Sequence, residues 1–312
     1  MKRVTEVSIK ELGKYPDISP AASQTAKEFT GDGNSDTRNP LFPNLPKEIN
    51  RSNARAAVQA FVFPSELKTQ AMRSGARLAA VFDDVARMIM TRDHTSGKLN
   101  RAKLPDVVQA TLHNTYDENK IRPYRRAEMK PAKRPHIVVV ASASTSSMWS
   151  HKRYIPNALE LALSIQWACE SAGLQATAAM TREIINSKGW FVPVIIGDSQ
   201  RPIPLSQYAP LFQRDLYRIG WMSWHLNRLD IHDALKAQQG YSYNYDDPWN
   251  SLSAYSGGDA VAWARNDKQA DIVIAIGNVR DARNADIVLS GKPSQTVSQA
   301  LDMVIATARK FK

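Results

Sequence analysis

Between positions 120 and 136 the chain reads "KIRPYRRAEMKPAKRPH", where Lys120, Arg122, Arg125, Arg126, Lys130, Lys133 and Arg134 face a single acid, Glu128. Cations at this density, with Tyr124 among them, have the chemistry to track a phosphate backbone and stack a base. The competing reading is a solvated basic connector, and composition leaves both open. A second aromatic run, "GYSYNYDDPWN", interleaves Tyr241, Tyr243, Tyr245 and Trp249 with polar residues. Such rings form a stacking platform for unpaired bases, or they anchor the loop that carries them.

Hydroxyl chemistry is concentrated in "ASASTSSMW", which holds Ser142, Ser144, Thr145, Ser146 and Ser147. The Gly-x-Ser-x-Gly elbow that would sharpen a nucleophile is missing, and no histidine has a context that makes it the base. A run of hydroxyls and amides before a helix also suits a phosphate, a partner's carboxylate, or plain helix capping. In "GWMSWHLNRLDIHDAL", His225 and His232 lie seven residues apart. That is two helical turns, too far for one metal ion, so His225, Asp230, His232 and Asp233 read as structural or surface residues. Cys169, in "IQWACESAG", has no partner for a disulfide and reads as a small buried helix residue. No catalytic residue, metal or cofactor is expected, and the chain reads as a binding protein rather than an enzyme.

Elements must place these groups. Residues 1–55 lack a sustained period and read as an extended arm, with Phe29, Leu41, Phe42 and Leu45 able to lie on a folded body. From Pro64, "PSELKTQAMRSGARLAAVFDDVARMIMTRD" spaces its apolar residues for one long amphipathic helix, with Ser65 as N-cap and Met88 still in phase. A turn and a shorter helix complete a helical region over 56–119, and three prolines keep a regular helix out of the basic linker at 120–135. From 136 to 312 the pattern is α/β. A strand over 137–140 and a helix ended by Gly173 come first. A strand near 174–181 returns antiparallel near 190–197, and helical sequence, buried strands at 271–277 and 285–291 and a closing helix follow.

Composition bounds the function. The 312 residues suffice for one large α/β core with an appendage, and no apolar run is long enough to span a bilayer. The charged start, "MKRVTEVSIKEL", lacks the apolar core of a secretory signal, so a cytoplasmic location is expected. Lys and Arg number 41 against 30 Asp and Glu, and the resulting +11 favours an acidic partner, nucleic acid or protein.

The element order after position 134 resembles the von Willebrand factor A domain. Ahead of it, "TRDHTSGKLNRAKL" followed by "YRRAEMKPAKRPHIVVV" is similar to the helix, SG-x-L turn, basic stretch and first strand of the cobaltochelatase-subunit type and its phage-encoded relatives. The "SPAASQTAKEFTG" arm also resembles phage proteins whose von Willebrand A domain is degenerate. The resemblance implies a Rossmann-type doubly wound sheet, mostly parallel with one antiparallel strand. It also implies an Asp-x-Ser-x-Ser cation motif after the first strand. One register puts Val140, Ser142 and Ser144 on those positions and the other puts Ala143, Thr145 and Ser147 there, and neither has the acid. The later Thr-Asp-Gly is replaced by "IAIGNVRD", with Gly277 and Asn278. Mg²⁺ dehydrates reluctantly and needs carboxylates, so the site reads as dismantled unless Asp198, Asp246 or Asp281 fills the gap.

The expected function is a phage-type, non-enzymatic protein in the host cytoplasm that binds single-stranded DNA and recruits a polymerase or replication protein. Its nucleic-acid site would be Arg122, Tyr124, Arg125, Arg126, Lys130, Lys133, Arg134, Tyr241, Tyr243 and Tyr245. A protein adaptor is the alternative. It would hold an ATPase or virion component on a sheet-top surface of 141–147, 198–204 and 278–284, with Ser142, Ser144, Thr145, Ser147 and Asn278 in contact. A divalent-cation-dependent binder with non-standard ligands is the third reading.

Overall fold

The computed structural model describes residues 3–17, 40–43, 45–46, 49–83, 87–94, 98–99, 101–115, 117, 124–130, 134–142, 155–183, 190–228, 260–279, 281–292 and 296–308. The chain divides into two compact units, one built from 1–79 and 135–311 and the other from 80–134.

The larger unit is an α/β body. Strands β1 (Arg3–Val4) and β2 (Val7–Ser8) lead into a short helix α1 (Ile9–Leu12), started by a capping box between Ser8 and Glu11. Helix α2 (Arg51–Gln59) has the same device in Asn50 and Asn53, and α3 (Ser65–Asp83) follows. Ser65, expected as the cap, is the first helical residue instead.

In the smaller unit are β3 (Arg87–His94), β4 (Lys98–Leu99), helix α4 (Leu104–Leu112) and β5 (Tyr124–Lys130). Two expectations are corrected here. The helix is Ser65–Asp83, and Met88 is not in it but in a strand, because "RMIMT" also alternates with period two and pairs along β5. The basic stretch is not a bare linker, since Tyr124–Lys130 within it is a strand. Prolines keep a regular helix from running through the stretch, but the residues from Tyr124 to Lys130 include none and are free to pair in a ladder.

The body then continues with β6 (His136–Ser142), α5 (Asn157–Ser171), β7 (Gln175–Glu183) and β8 (Trp190–Asp198). Helices α6 (Ala209–Phe212), α7 (Arg214–Leu226) and α8 (Ala260–Asn266) come next, then β9 (Ile272–Ile276), β10 (Ile287–Leu289) and α9 (Val297–Ala308). The sheet order is β1-β8-β7-β6-β9-β10, with β2 sharing β1's place along β8. Every pairing is parallel except β7 with β8. This is a Rossmann-like mixed sheet.

Strand β6 is central, and Ile137 to Ala141 are fully buried, as a strand covered on both faces must be. Val138 and Val140 pack with Ala260, Val261, Trp263 and Ala264 of α8, while α5 lies over β6, β7 and β8. Gly173, at φ +69°, ends α5 as expected, and its amide donates to the Glu170 carbonyl at 2.9 Å.

The first residues close the free edge of β8 and then dock on α7. Gly220 lies so close to the Leu12 carbonyl that it has no room for a side chain. The buried Tyr15 hydroxyl donates to the Leu216 carbonyl at 3.1 Å. Further along, Phe42 and Leu45 are buried as their apolar character suggests, and Phe61 stacks 5.4 Å from Phe212. No helix among the described residues is long and apolar enough to cross a membrane.

Candidate functional site

The small sheet carries the basic stretch. Its order is β3-β5-β4, both pairings antiparallel, so β5 is the middle strand. Arg87 stands opposite Lys130, Thr91 opposite Arg126, His94 and Leu99 opposite Tyr124, and Lys98 opposite Arg125. Successive strand positions alternate between faces, so 124, 126, 128 and 130 share one face and 125, 127 and 129 the other.

The pleat therefore sorts the expected site. Strand positions 124, 126 and 130 alternate in step and position 87 joins them through its register with 130, whereas position 125 is in register with 98 and out of step with them. Arg134 is exposed just after this unit's last strand. Arg122, Lys133, Tyr241, Tyr243 and Tyr245 lie outside the described residues. Lys98, just ahead of the basic run, was legible in the sequence as an added cation, whereas Arg87 was not, because it sits well outside that run. The alternation in "RMIMT" was the signal that would have brought Arg87 in.

Two of these cross-strand pairs, Arg87 with Lys130 and Lys98 with Arg125, set cation against cation. Like charges directly opposite destabilise a ladder by a few tenths to about 1 kcal/mol. Residues 80–134 hold twelve Lys and Arg against seven Asp and Glu, so nearly half of the chain's +11 falls in this short unit. A bound polyanion removes that repulsion and releases its own counterions.

The second candidate is the carboxyl end of β6 in the large sheet. Ser142 is the last residue of that strand and half-buried. Gly277, at φ +79°, follows β9, and a Cβ there would lie 3.4 Å from the Ser142 Cβ. Asn278, next in the chain, is exposed. Gly291, at φ +66°, approaches Gly277 so closely that a Cβ would lie 3.4 Å from its Cα. The Asn157 amide at the start of α5 donates to the carbonyls of Gly291 at 3.0 Å and Lys292 at 2.7 Å, tying this end together. The fold thus brings Ser142 and Asn278 to one end, while Ser144, Thr145 and Ser147 lie outside the described residues.

The surface expected at 141–147, 198–204 and 278–284 is corrected. Strand β8 runs antiparallel, so Asp198 pairs with Thr177 near the start of β7, beside the start of β6. Residues after Asp198 therefore leave from the opposite end of the sheet. Asp281 is at the right end, but its Oδ2 accepts the Val261 amide at 3.0 Å and holds the start of α8. Asp246 lies outside the described residues, as do Asp230, His232 and Asp233. Among the described residues, no group of three or more His, Cys, Asp and Glu is placed to hold a metal ion.

A buried polar cluster marks that opposite end. His136, 9% exposed, has Nδ1 2.9 Å from the Lys268 carbonyl and Nε2 3.3 Å from the Thr177 hydroxyl. The carbonyl can only accept, so Nδ1 carries a proton, and in the neutral ring that burial favours Nε2 accepts from the Thr177 hydroxyl. Burial lowers its pKa, opposed by the carbonyl of Lys268 and the charges of Asp198 and Asp271. The His136 amide also donates to Asp271 Oδ2 at 2.9 Å. These bonds are a structural anchor for the first residue of β6.

Set against known proteins, the chain matches no family model, no curated protein and no solved structure.

Proposed function

We propose that the chain is a non-enzymatic nucleic-acid-binding protein whose binding surface is the small antiparallel sheet. The observation that carries this reading is the pair of cation-on-cation ladder positions, Arg87 with Lys130 and Lys98 with Arg125. A sheet gains nothing from them by itself, and an anionic backbone converts both from a cost into contacts. Tyr124, on the face of Arg126 and Lys130, supplies a ring for stacking an unpaired base, which favours single-stranded DNA over duplex.

The von Willebrand A-like reading of the body belongs with this proposal. It is supported by the order β8-β7-β6-β9-β10 with only β8 reversed, and by the hydroxyl residue Ser142 at the end of the central strand. In that reading the domain is a phage-type scaffold with a degenerate cation motif, and it recruits a polymerase or replication protein to the bound strand. One observation favours the adaptor alternative: the exposed Asn278 beside Ser142 gives the carboxyl end a polar surface for a partner.

Retention on single-stranded DNA cellulose tests the proposal. The wild-type chain should elute at markedly higher salt than an Arg126→Gln/Lys130→Gln variant whose melting temperature is no lower. Equal elution of the two would remove the small sheet from the function and leave the adaptor reading.

A further inference from the structure

Helix α4 offers a second surface, of different chemistry from the cationic ladder. None of its nine residues is buried. Leu104, Val108 and Leu112 are 36%, 52% and 78% exposed, and their spacing of four puts them on one stripe. Val107 and Ala110, on the other side, are half-buried, so the helix shows its more apolar stripe to solvent.

The stripe is preformed. Pro105 sits in the first turn, and Asn114, at φ +54°, turns the chain out of the helix while the Thr115 amide donates back to the Ala110 carbonyl at 2.8 Å. The Thr111 hydroxyl donates to the Val107 carbonyl at 2.7 Å and that of Thr115 to Ala110 at 3.3 Å. Both are turned back onto the backbone, which adds no polar demand to the stripe. Exposed Arg101 precedes Leu104 by three residues, in line with the same stripe.

We propose that this stripe docks an acidic amphipathic helix of a protein partner, with apolar residues against Leu104, Val108 and Leu112 and a carboxylate near Arg101. Charge chooses this occupant. A second copy would bring two units of 80–134 together, each with an excess of five cations, and like charges oppose that contact. A bilayer is disfavoured because affinity for it grows with buried apolar area, and three side chains supply little. An amphipathic partner helix docks through apolar anchors three and four residues apart, and side chains four apart on one face, as here, match that repeat.

The test is a displayed library of random 16-residue helical peptides selected on the full-length chain and counter-selected on a Val108→Ser/Leu112→Ser variant. Both positions are exposed, so the variant keeps its fold, checked by an unchanged melting temperature and unchanged single-stranded DNA affinity. Enriched peptides with apolar i, i+4 spacing and net negative charge, binding the variant at least tenfold more weakly, are expected. No enrichment, or enrichment without acidic bias, overturns the proposal. So does a concentration-dependent dimer, or binding to anionic vesicles, that the double substitution abolishes. Because DNA affinity is read in parallel, failure here is distinguishable from failure of the small-sheet reading.

Discussion

Arg87 and Lys130 stand directly opposite one another on adjacent antiparallel strands of the small sheet. The pair sets function against stability. Arg87→Glu turns the repulsion into an attractive pair, so the unit should gain a few tenths to about 1 kcal/mol, seen as a rise in thermal midpoint. The same change puts an acid on the proposed backbone-binding face, so affinity for single-stranded DNA should fall severalfold and its salt dependence should shallow. A variant that is more stable yet binds single-stranded DNA as tightly as the wild type would show that position 87 takes no part in binding.

The body depends on a close helix contact. A Cβ added at Gly75 of α3 would lie 2.5 Å from the Ala168 carbonyl oxygen and 2.7 Å from the Ser171 Cβ of α5. Replacing glycine with alanine in an open helix gains about 1 kcal/mol. Forcing a methyl into a packed contact costs roughly 1–3 kcal/mol. Here the obstacle is backbone, so the cost wins, and Gly75→Ala should lower the midpoint of chemical denaturation. An unchanged or raised midpoint would mean the two helices separate freely.

His136 should leave a signature in the pH dependence. Its pKa is lowered in the folded protein from the ordinary value of 6.5, burial being the main cause. The unfolded chain therefore binds the proton more readily than the folded one, and stability rises with pH across the interval between the two pKa values. Its contribution is complete above about 6.5 and is lost as pH falls from there through the folded value. His136→Asn should flatten that part of the curve while lowering stability at every pH. A wild-type curve that is level below pH 6.5, before carboxylates begin to titrate, would contradict the neutral buried ring.

Cys169 is fully buried on α5, and burial pushes its thiol up to about 12. The thiolate is the reactive form, so a disulfide reagent at pH 8 should label no thiol in the native chain and one in denaturant. Fast native labelling would mean that α5 opens locally.

The large sheet was legible in the chain because its strands are buried on both faces and read as unbroken apolar runs, Ile137–Val140 and Ile272–Ile276 above all. Helix α5 announced itself by spacing and by Gly173. The antiparallel turn of β7 into β8 was also legible, and a reversed strand delivers its last residue, Asp198, to the other end of the sheet. Strands β1 and β2 are two residues each, too short for any period to show. Arg87 to Thr91 fits both a helix in phase with Val81 and Val85 and a strand alternating at Met88 and Met90, and only the partner β5 decides between them. Within the site, the basic run was visible as composition. Its division into two faces, and its pairing with Arg87 and Lys98, depend on register, which no local pattern specifies.

Whether the small sheet is a nucleic-acid surface is decided by fluorescence anisotropy of labelled single-stranded and duplex DNA, at two salt concentrations, with wild type and Arg126→Glu/Lys130→Glu. A nucleic-acid surface there gives tighter binding to the single strand and a steep loss with salt. The variant, its fold verified by circular dichroism, loses tenfold or more. Wild-type traces that stay flat on both ligands at low salt, or a variant that binds as tightly as wild type, would contradict such a surface.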